Sequence, residues 1–303
     1  MTIDSILQSL PLKLPSPLQE LEHELFSQKS LRVFVKRDDL IHPLLSGNKW
    51  RKLKFNLYEA ERHGKQTLLS FGGAYSNHIH ALAAAAKIFG FKSIGVIRGE
   101  PYESLNPTLA FAKAQSMVLH YLDRETYRKK NTSEVLDSLL QQYGDCYVIP
   151  EGGSNTFALP GCAEIVSETY KQIATEKLIL ATAVGSGGTA AGLLSHASKP
   201  AVLGVAVLKN ANFLQADIGR LLGEEADNFQ LNLDFHFGGY AKWNRALMDF
   251  IDEFKRDFGI QLEPIYTGKL FYALFELMRQ DYFEKGSTIV ALHTGGLQGM
   301  QYE

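Results

Sequence analysis

The stretch Ser46-Gly47-Asn48-Lys49-Trp50-Arg51-Lys52-Leu53 places a lysine on a tight turn directly before a run with helical periodicity. The positive end of a helix disfavours the ammonium form of a lysine in its first turn. Burial and nearby positive charge act in the same direction, and a lysine that is a free base for part of its life can form a Schiff base with an aldehyde. Lys49 is therefore a candidate for that chemistry, if other parts of the chain supply a matching site.

Outward from this turn, strand-like and helix-like segments alternate along the chain. The pattern predicts strands at 31–36, 67–71, 93–98, 117–122, 146–150, 177–184, 201–208 and 287–293. It predicts helices at 18–27, 50–63, 77–89, 107–115, 132–143, 158–173, 189–196, 211–222, 244–258 and 268–280, with a less regular region at 227–240. Strands separated by helices of this length pair in parallel through right-handed crossovers, so we expect an α/β fold of open, mostly parallel sheets flanked by helices.

Composition narrows the class of protein. The 303 residues have a formal net charge of −2 and no long basic run, which argues against a nucleic-acid partner. The first 14 residues lack the features of a signal peptide, and no run of about 18 apolar residues could span a membrane. Two cysteines without metal-like spacing favour a reduced protein with neither a metal site nor a disulfide. A cytoplasmic location is the simplest expectation.

Five polar or glycine-rich segments follow predicted strands, the positions at which open α/β sheets bind ligands. We expect them on one side of a sheet. They are 46–49, 72–78, 151–155, 185–189 and 293–296. In the second, Ser76 is a predicted N-cap, and the helix start that follows suits a carboxylate.

The fourth segment, Gly185-Ser186-Gly187-Gly188-Thr189, is a glycine nest after an apolar strand and suits a phosphate dianion. Together with Ala190 it also satisfies the dinucleotide fingerprint G-x-G-x-x-G/A. That fingerprint requires an acidic residue about 20 positions later, whereas residues 204–210 contain none. A phosphate nest and an amine-bearing turn facing one cleft instead indicate a phosphorylated aldehyde, for which pyridoxal phosphate is the common example.

The chain resembles the 1-aminocyclopropane-1-carboxylate deaminase / D-cysteine desulfhydrase family of fold-type-II, tryptophan synthase β-like pyridoxal phosphate enzymes. The resemblance runs through residues 36–296. Its motifs are Lys36-Arg37-Asp38-Asp39, residues 46–53, Gly72-Gly73-x-x-Ser76-Asn77-His78, Gly152-Gly153-Ser154-Asn155, residues 185–189, Tyr266-Thr267-Gly268-Lys269 and His293-Thr294-Gly295-Gly296.

The resemblance implies a role for each matching position. Lys49 would be the Schiff-base lysine and the base that moves protons, and Ser76 and Tyr266 would be the other catalytic residues. Ser76, Tyr266 and the N–H groups of Asn77 and His78 would bind the substrate. The cofactor would be held by Lys49, by Asn77 at its ring oxygen, by Gly185, Ser186, Gly187, Gly188 and Thr189 at its phosphate, and by Thr294 near its ring nitrogen.

Two positions favour one activity within the family. Ring-opening deaminases of the family show Tyr-Glu-Gly-Lys and His-Leu-Gly-Gly, where this chain has Thr267 and Thr294. This pattern favours α,β-elimination on a small amino acid such as D-cysteine, giving pyruvate, ammonia and hydrogen sulfide. The alternatives are ring opening of 1-aminocyclopropane-1-carboxylate, another elimination or a racemisation on the same cofactor, and a non-catalytic pyridoxal phosphate-binding protein.

The resemblance also predicts two open, mostly parallel sheets flanked by helices, and two domains with the cofactor between them. A large cofactor-binding domain would comprise residues 1–49 and 159–303, and a small mobile domain would comprise residues 50–158. Closure of the small domain on the substrate carboxylate would complete the site. A homodimer is expected from the resemblance alone. Arg37, Asp38 and Asp39 are expected to form a structural ion-pair corner before the lysine turn.

Overall fold

The computed structural model describes residues 2–45, 47–101 and 103–299. Ser46, at the start of the predicted lysine turn, lies outside the described residues. The strands are β1 (Leu18–Leu21), β2 (Arg32–Lys36), β3 (Thr67–Gly72), β4 (Lys92–Arg98), β5 (Val118–Leu122), β6 (Cys146–Ile149), β7 (Leu178–Val184), β8 (Ala201–Ala206), β9 (Phe229–Asn232) and β10 (Thr288–Leu292).

The helices of the described residues fall between these strands. They are α1 (Ile3–Ser9), α2 (Glu24–Gln28), α3 (Asn48–Arg62), α4 (Asn77–Phe89), α5 (Pro107–Ala114), α6 (Arg124–Arg128), α7 (Ser133–Tyr143), α8 (Leu159–Gln172), α9 (Gly188–Leu194), α10 (Phe213–Leu222), α11 (Arg245–Phe258) and α12 (Thr267–Arg279). Short 3-10 turns cover Asp38–Leu40, Glu151–Gly153, Thr156–Ala158 and Leu297–Gly299. No helix in this part of the chain is long and apolar enough to cross a bilayer.

The strands form two sheets. Six strands are ordered β1-β2-β10-β7-β8-β9, and four are ordered β5-β4-β3-β6. Every pairing is parallel except that of β1 with β2. In the larger sheet β10 is central, because Val290 pairs with Phe34 on one side and Leu180 on the other. The predicted α/β class with two mostly parallel sheets is confirmed.

The smaller sheet takes its strands from residues 67–149, and the larger sheet takes its strands from residues 18–36 and 178–292. The proposed division into a domain of 1–49 plus 159–303 and a domain of 50–158 is compatible with this arrangement and stays a prediction. The five polar segments come from both sheets, so the expectation of a single sheet was wrong. Two follow β3 and β6 of the smaller sheet, and three follow β2, β7 and β10 of the larger one.

The predicted elements between residues 31 and 293 agree with the structure to within a few residues, with two additions. The short helix α6 follows β5, and β9 lies within the segment considered irregular, where it pairs with the edge of β8. At the N-terminal end, the helix predicted at 18–27 is present only in its second half, as α2. Residues Leu18–Leu21 instead form β1 on β2, α2 follows, and α1 was not predicted. These are short elements whose existence depends on a neighbouring strand or helix rather than on local periodicity.

A buried ion-pair network lies beneath the lysine turn. Arg51 of α3 donates to both carboxylate oxygens of Asp38 and both of Glu168, and Lys36 lies 2.8 Å from Glu168. Arg51, Lys36 and Asp38 are all fully buried. Burial alone would raise the pKa of Glu168, but its hydrogen bonds with Arg51 and Lys36 lower that pKa to about 2. The network therefore ties the start of α3 to β2 and α8.

The expected ion-pair corner is present in a divided form. Arg37 makes a forked pair with Asp39, with the shortest contact at 2.8 Å, whereas the neighbouring Asp38 turns inward to Arg51. Alternate residues of this segment therefore serve different ion pairs.

We expect Arg51→Met to lower the free energy of unfolding by about 3–5 kcal/mol, because it leaves the buried Asp38 carboxylate without its ion-pair partner and Glu168 with Lys36 alone. Urea denaturation followed by circular dichroism measures the change. Arg62→Met is the matched control, since Arg62 lies on the same helix and forms an exposed pair with Glu59. The control should leave the denaturation midpoint nearly unchanged, and equal effects of the two substitutions would contradict the assignment.

Candidate active site

A cleft of about 910 Å³ opens at the carboxyl ends of strands from both sheets. All five polar segments contribute to its lining. Ten of the predicted site residues line it, namely Lys49, Ser76, Asn77, His78, Gly185, Ser186, Gly187, Thr189, Tyr266 and Thr294. The eleventh, Gly188, lies behind the lining: a Cβ there would sit 2.5 Å from Ser154 Oγ and 3.1 Å from Lys52 Nζ.

Gly47 allows the lysine turn to pack on the loop after β10. Its φ is +69°, and a Cβ at this position would lie 1.8 Å from the Thr294 carbonyl oxygen. Only glycine fits such a contact. Its N–H donates to the Asp38 carbonyl at 2.9 Å, so the buried ion-pair segment holds the turn from the other side. Lys49 consequently enters the cleft from the first turn of α3.

The Lys49 amine is held in an environment that favours its neutral form. Burial lowers the pKa of Lys49 to about 7, and the nearby charge of Lys52 adds to the effect. Lys49 Nζ donates to Asn48 Oδ1 at 2.7 Å, and the Asn48 amide donates to Thr189 Oγ1 at 2.9 Å. Asn48 therefore links the candidate Schiff-base amine to the glycine nest, a contact that the sequence did not reveal.

The glycine nest has a buried cation beside it. Gly187, at φ +78°, is the residue before α9, and Ser186 Oγ lies 2.7 Å from Ser154 Oγ. Lys52 Nζ donates to Ser154 Oγ at 3.1 Å, to the Gly152 carbonyl at 3.1 Å and to Ser186 Oγ at 3.4 Å. Burial lowers the pKa of Lys52 to about 8. Its partners among the described residues are all neutral, so an anion at the nest would supply the missing counter-charge.

Ser76 caps α4, as predicted, by accepting a hydrogen bond from the N–H of Ile79 at 3.3 Å. Within the described part of the chain, the N–H groups of Asn77 and His78 donate to no acceptor. Free N–H groups at the first turn of a helix bind carboxylates. Two free donors therefore line the cleft where the carboxylate is predicted to bind, and that role stays a prediction.

The side chain of Asn77 has a fixed orientation. Gln298, near the C-terminal end of the described chain, donates to Asn77 Oδ1 at 2.8 Å. The Asn77 amide nitrogen donates to no described residue. It lies 2.8 Å from the position that a Cβ on Gly296 would occupy. Asn77 therefore offers the cleft a donor, which matches its predicted bond to a ring oxygen.

His78 is a neutral, buried ring. Ser70 Oγ donates to the Ile149 carbonyl at 2.7 Å and lies 2.8 Å from His78 Nε2. Because the one hydroxyl hydrogen is used on Ile149, His78 Nε2 carries its hydrogen and donates to Ser70. Burial lowers the pKa of His78 well below its usual value, and the charges of Lys49 and Lys52 reinforce this. Nδ1 is buried without a partner among the described residues.

Tyr266 and Tyr240 form a pair in the cleft. Their rings meet edge to face with centroids 6.1 Å apart, and a Cβ on Gly185 would be 3.2 Å from the Tyr266 ring. Burial raises the pKa of Tyr266 well above its usual value, and the adjacent Tyr240 hydroxyl contributes. Tyr266 is thus a neutral hydroxyl at neutral pH and can donate a hydrogen bond. Tyr240 lies in the segment considered irregular and was not predicted.

Glu263 fixes Tyr266 in place. Its buried carboxylate accepts from the N–H groups of Ile265 at 2.7 Å, Tyr266 at 2.9 Å and Thr267 at 2.6 Å. The Thr267 hydroxyl donates to the same carboxylate at 3.1 Å. Burial raises the pKa of Glu263, and these N–H donors oppose that rise. Position 267 therefore points to Glu263 rather than into the cleft.

Thr294 lines the cleft beside the lysine turn, and its hydroxyl bonds to no described residue. It is free to meet a ligand, as predicted for the ring nitrogen. No group of His, Cys, Asp or Glu side chains among the described residues is arranged to hold a metal ion.

Comparison with known proteins identifies the class. A family model described as "Pyridoxal-phosphate dependent enzyme" matches residues 10–295. A protein of Pyrococcus abyssi named "Putative 1-aminocyclopropane-1-carboxylate deaminase" is 30% identical, with 98% of this chain and 95% of the relative aligned. One of the same name from Thermotoga maritima is 33% identical over 94% of this chain and 95% of its own. A D-cysteine desulfhydrase of Klebsiella pneumoniae is 29% identical over 93% and 92%.

Two solved structures share the fold of this chain. A crystal structure of an "ACC deaminase homologue" has a TM-score of 0.79 at 30% identity and covers 98% of this chain and 95% of its own. A hydrogen sulfide-producing enzyme of Fusobacterium nucleatum has a TM-score of 0.66 at 17% identity over 94% and 96%, which shows the shared fold.

The fold and its cleft are those of a pyridoxal-phosphate-dependent enzyme. Within that class the chain belongs to the 1-aminocyclopropane-1-carboxylate deaminase / D-cysteine desulfhydrase family, and its cofactor is pyridoxal phosphate. The cleft fits that cofactor, because Lys52, a buried lysine without an acidic partner among the described residues, lies beside the glycine nest. Lys49, whose pKa is about 7, lies one turn earlier on the same helix. We propose that Lys52, Gly185–Thr189, Asn77 and Thr294 hold it at Lys49.

The lowered pKa of Lys49 predicts how cofactor capture depends on pH. The free amine attacks an aldehyde, so the rate at which the apoprotein binds pyridoxal phosphate should rise about tenfold per pH unit below pH 7 and level off above about pH 7.5. Stopped-flow absorbance between pH 5.5 and 9.5 measures this rate. A rise that continues to pH 9.5, as for an exposed lysine, would contradict the predicted pKa.

Lys52→Met should weaken cofactor affinity by roughly 100-fold, because a charge-assisted contact to the phosphate is lost in a buried position. Titration of the apoprotein with pyridoxal phosphate measures the affinity. Lys54→Met, on the same helix and paired with Glu164 at the surface, is the control and should leave the affinity unchanged. Equal affinities for the wild type and Lys52→Met would place the phosphate elsewhere.

Proposed function

We propose that the protein is a lyase that catalyses α,β-elimination on a small amino acid, with D-cysteine as the preferred candidate. The overall reaction converts D-cysteine and water to pyruvate, ammonia and hydrogen sulfide. The observation that carries the proposal is the Tyr266–Tyr240 pair, whose rings meet edge to face 6.1 Å apart and line the same cleft as Lys49, the lysine that would bond the cofactor. An acid next to a base is what removal of a β-substituent requires.

The carboxylate of the substrate would bind at the start of α4. The N–H groups of Asn77 and His78 are unused there, and the Ser76 hydroxyl lies beside them. The His78 ring stays neutral, because its pKa is well below the usual value. The N–H groups at the start of α4 would therefore bind the carboxylate without a nearby charge that changes with pH. This binding would orient the bond from the α-carbon to its hydrogen towards Lys49.

Lys49 would take the proton from the α-carbon. Its amine is deprotonated for about half of the molecules at pH 7, since burial sets its pKa near that value. Bound pyridoxal phosphate supplies the sink for the electron pair that remains on the α-carbon. The Thr294 hydroxyl, unlike a carboxylate, does not stabilise a positive charge on the ring nitrogen. A weaker sink favours prompt loss of the β-substituent.

The Tyr266 hydroxyl would hold or deliver the proton that the leaving sulfur needs. Tyr240 shares a hydrogen bond with it, which would hold the Tyr266 hydroxyl in a fixed orientation. Glu263 keeps the Tyr266 backbone in place through three N–H groups. The rigid start of α12 thus supports the acid of the proposed reaction.

Ring opening of 1-aminocyclopropane-1-carboxylate is the second candidate, because the Pyrococcus and Thermotoga relatives carry that name. The surroundings of position 267 argue against it. A glutamate there, as in ring-opening deaminases of the family, would meet the Glu263 carboxylate, which lies 3.1 Å from the Thr267 hydroxyl. Like charges at that distance are unfavourable in a buried site.

The test is turnover of D-cysteine by the holoenzyme, with pyruvate and sulfide measured separately. We expect a cofactor absorbance band that shifts on addition of D-cysteine, release of both products, and no release by Lys49→Ala. 1-Aminocyclopropane-1-carboxylate is assayed in parallel through 2-oxobutanoate.

The controls separate the alternatives. Lys54→Ala removes a partly exposed lysine of the same helix that does not line the cleft, and should keep full activity. Turnover of the cyclopropane substrate with inert D-cysteine would establish the second candidate instead. A cofactor band with no reaction on either substrate would contradict both.

A further inference from the structure

Arg98 is a cleft residue that the proposed reaction does not use. It ends β4, and its guanidinium lies 3.6 Å from the position that a Cβ on Gly73 would occupy, in the loop that leads to Ser76. Its one described contact is with the face of the Tyr127 ring, 6.0 Å from the centroid. No carboxylate in the described part of the chain lies within ion-pair distance of it, so Arg98 has its charge free for a ligand.

The other charges at the mouth of the cleft compensate each other. Lys130 lies 3.1 Å from Glu151, and Arg220 is paired with Asp217. Lys49 and Lys52 lie at the cofactor end. The half of the cleft away from the glycine nest therefore has one uncompensated positive charge, which belongs to Arg98.

This charge lies in the substrate half of the cleft. Arg98 is close enough to Tyr240 to lower the pKa of its hydroxyl, against the rise that burial causes, and Tyr240 in turn bonds to Tyr266. The carboxylate of an amino acid already has the two free N–H groups at the start of α4. The Arg98 guanidinium lies near both Gly73 and the Tyr127 ring of α6, the helix that follows β5. It therefore offers a second position for an anion, separate from the N–H groups at the start of α4.

We propose that Arg98 binds a second anionic group of the substrate, so that the cleft selects amino acids whose side chain carries a negative charge. The inference rests on the proposed placement of the α-carboxylate at Asn77 and His78. D-Cysteine belongs to this class in its thiolate form, because a free thiol has a pKa of about 8.5, and it is the smallest member. Amino acids with a carboxylate, sulfonate or phosphate at the end of the side chain belong to the same class.

The test compares D-aspartate with D-asparagine, which have nearly the same shape and differ by one charge. Both are titrated into the holoenzyme at low salt, the affinity is read from the cofactor absorbance, and the L-enantiomers are run alongside. We expect the wild type to bind D-aspartate about tenfold more tightly than D-asparagine, which is a typical effect of one charge-assisted hydrogen bond. The preference should shrink in 0.5 M salt, because Arg98 is exposed.

Variants identify the residue responsible. In Arg98→Gln the two ligands should bind within about twofold of each other, while Arg98→Lys keeps part of the preference. Arg220→Gln removes a second arginine of the cleft lining, one that is already paired, and should keep the wild-type ratio. Neither Arg98 nor Arg220 is in the core, so folding should be intact for all three substitutions.

Two results would overturn the proposal. One is a wild type that does not distinguish the two ligands. The other is an Arg98→Gln variant that loses affinity equally for both, which would place Arg98 at the α-carboxylate. These outcomes are separate from D-cysteine turnover. If turnover is seen without the charge preference, the proposed reaction stands alone, and if the preference is seen without turnover, the binding site stands and the reaction fails.

Discussion

The buried guanidinium of Arg51 is the constraint on which the site depends. It joins Asp38, after β2, to Glu168 on α8, and it does so from the first turn of the helix that carries Lys49 and Lys52. An ion pair of this kind adds little net stability over an apolar cluster of the same size, but removing one partner is costly. Its value here is positional, because three separate segments can satisfy the charges in only one arrangement.

Lys49 and Lys52 of that helix differ in their surroundings and therefore in their chemistry. Lys49 faces the open cleft, bonds to a neutral amide and has a pKa near 7. Lys52 is enclosed by two serine hydroxyls and a carbonyl and has a pKa near 8, so it stays largely charged. One turn of helix thus presents a base for the cofactor aldehyde and a cation for its phosphate. The positive charge of Lys52 lowers the pKa of Lys49, and both lysines lower the pKa of His78. A bound phosphate would offset this repulsion between positive charges.

Contacts made only by folding complete the site. Tyr240, from a loop without regular pattern, gives Tyr266 its hydrogen-bond partner. Gln298 lies 221 residues from Asn77 in the sequence, and its hydrogen bond orients the Asn77 amide. Glu263 gathers the N–H groups at the start of α12. None of these residues stands in a motif that marks it, although a carboxylate three residues before Tyr266 is a capping signal that could have been read.

The sequence by itself determined the α/β class, the order of the central elements, the cofactor family and the positions that line the cleft. It did so because glycines at positive φ, an N-cap serine and buried apolar strands are local requirements that only certain residues meet. Gly47 and Ser76 were identifiable for that reason. The tertiary structure alone decided that the five segments come from two sheets, that Asn48 bonds Thr189, and that Arg98 lines the cleft without an ion-pair partner among the described residues. Distances and pKa shifts depend on burial and on contacts between residues that are distant in the sequence. Local sequence patterns reveal neither of these.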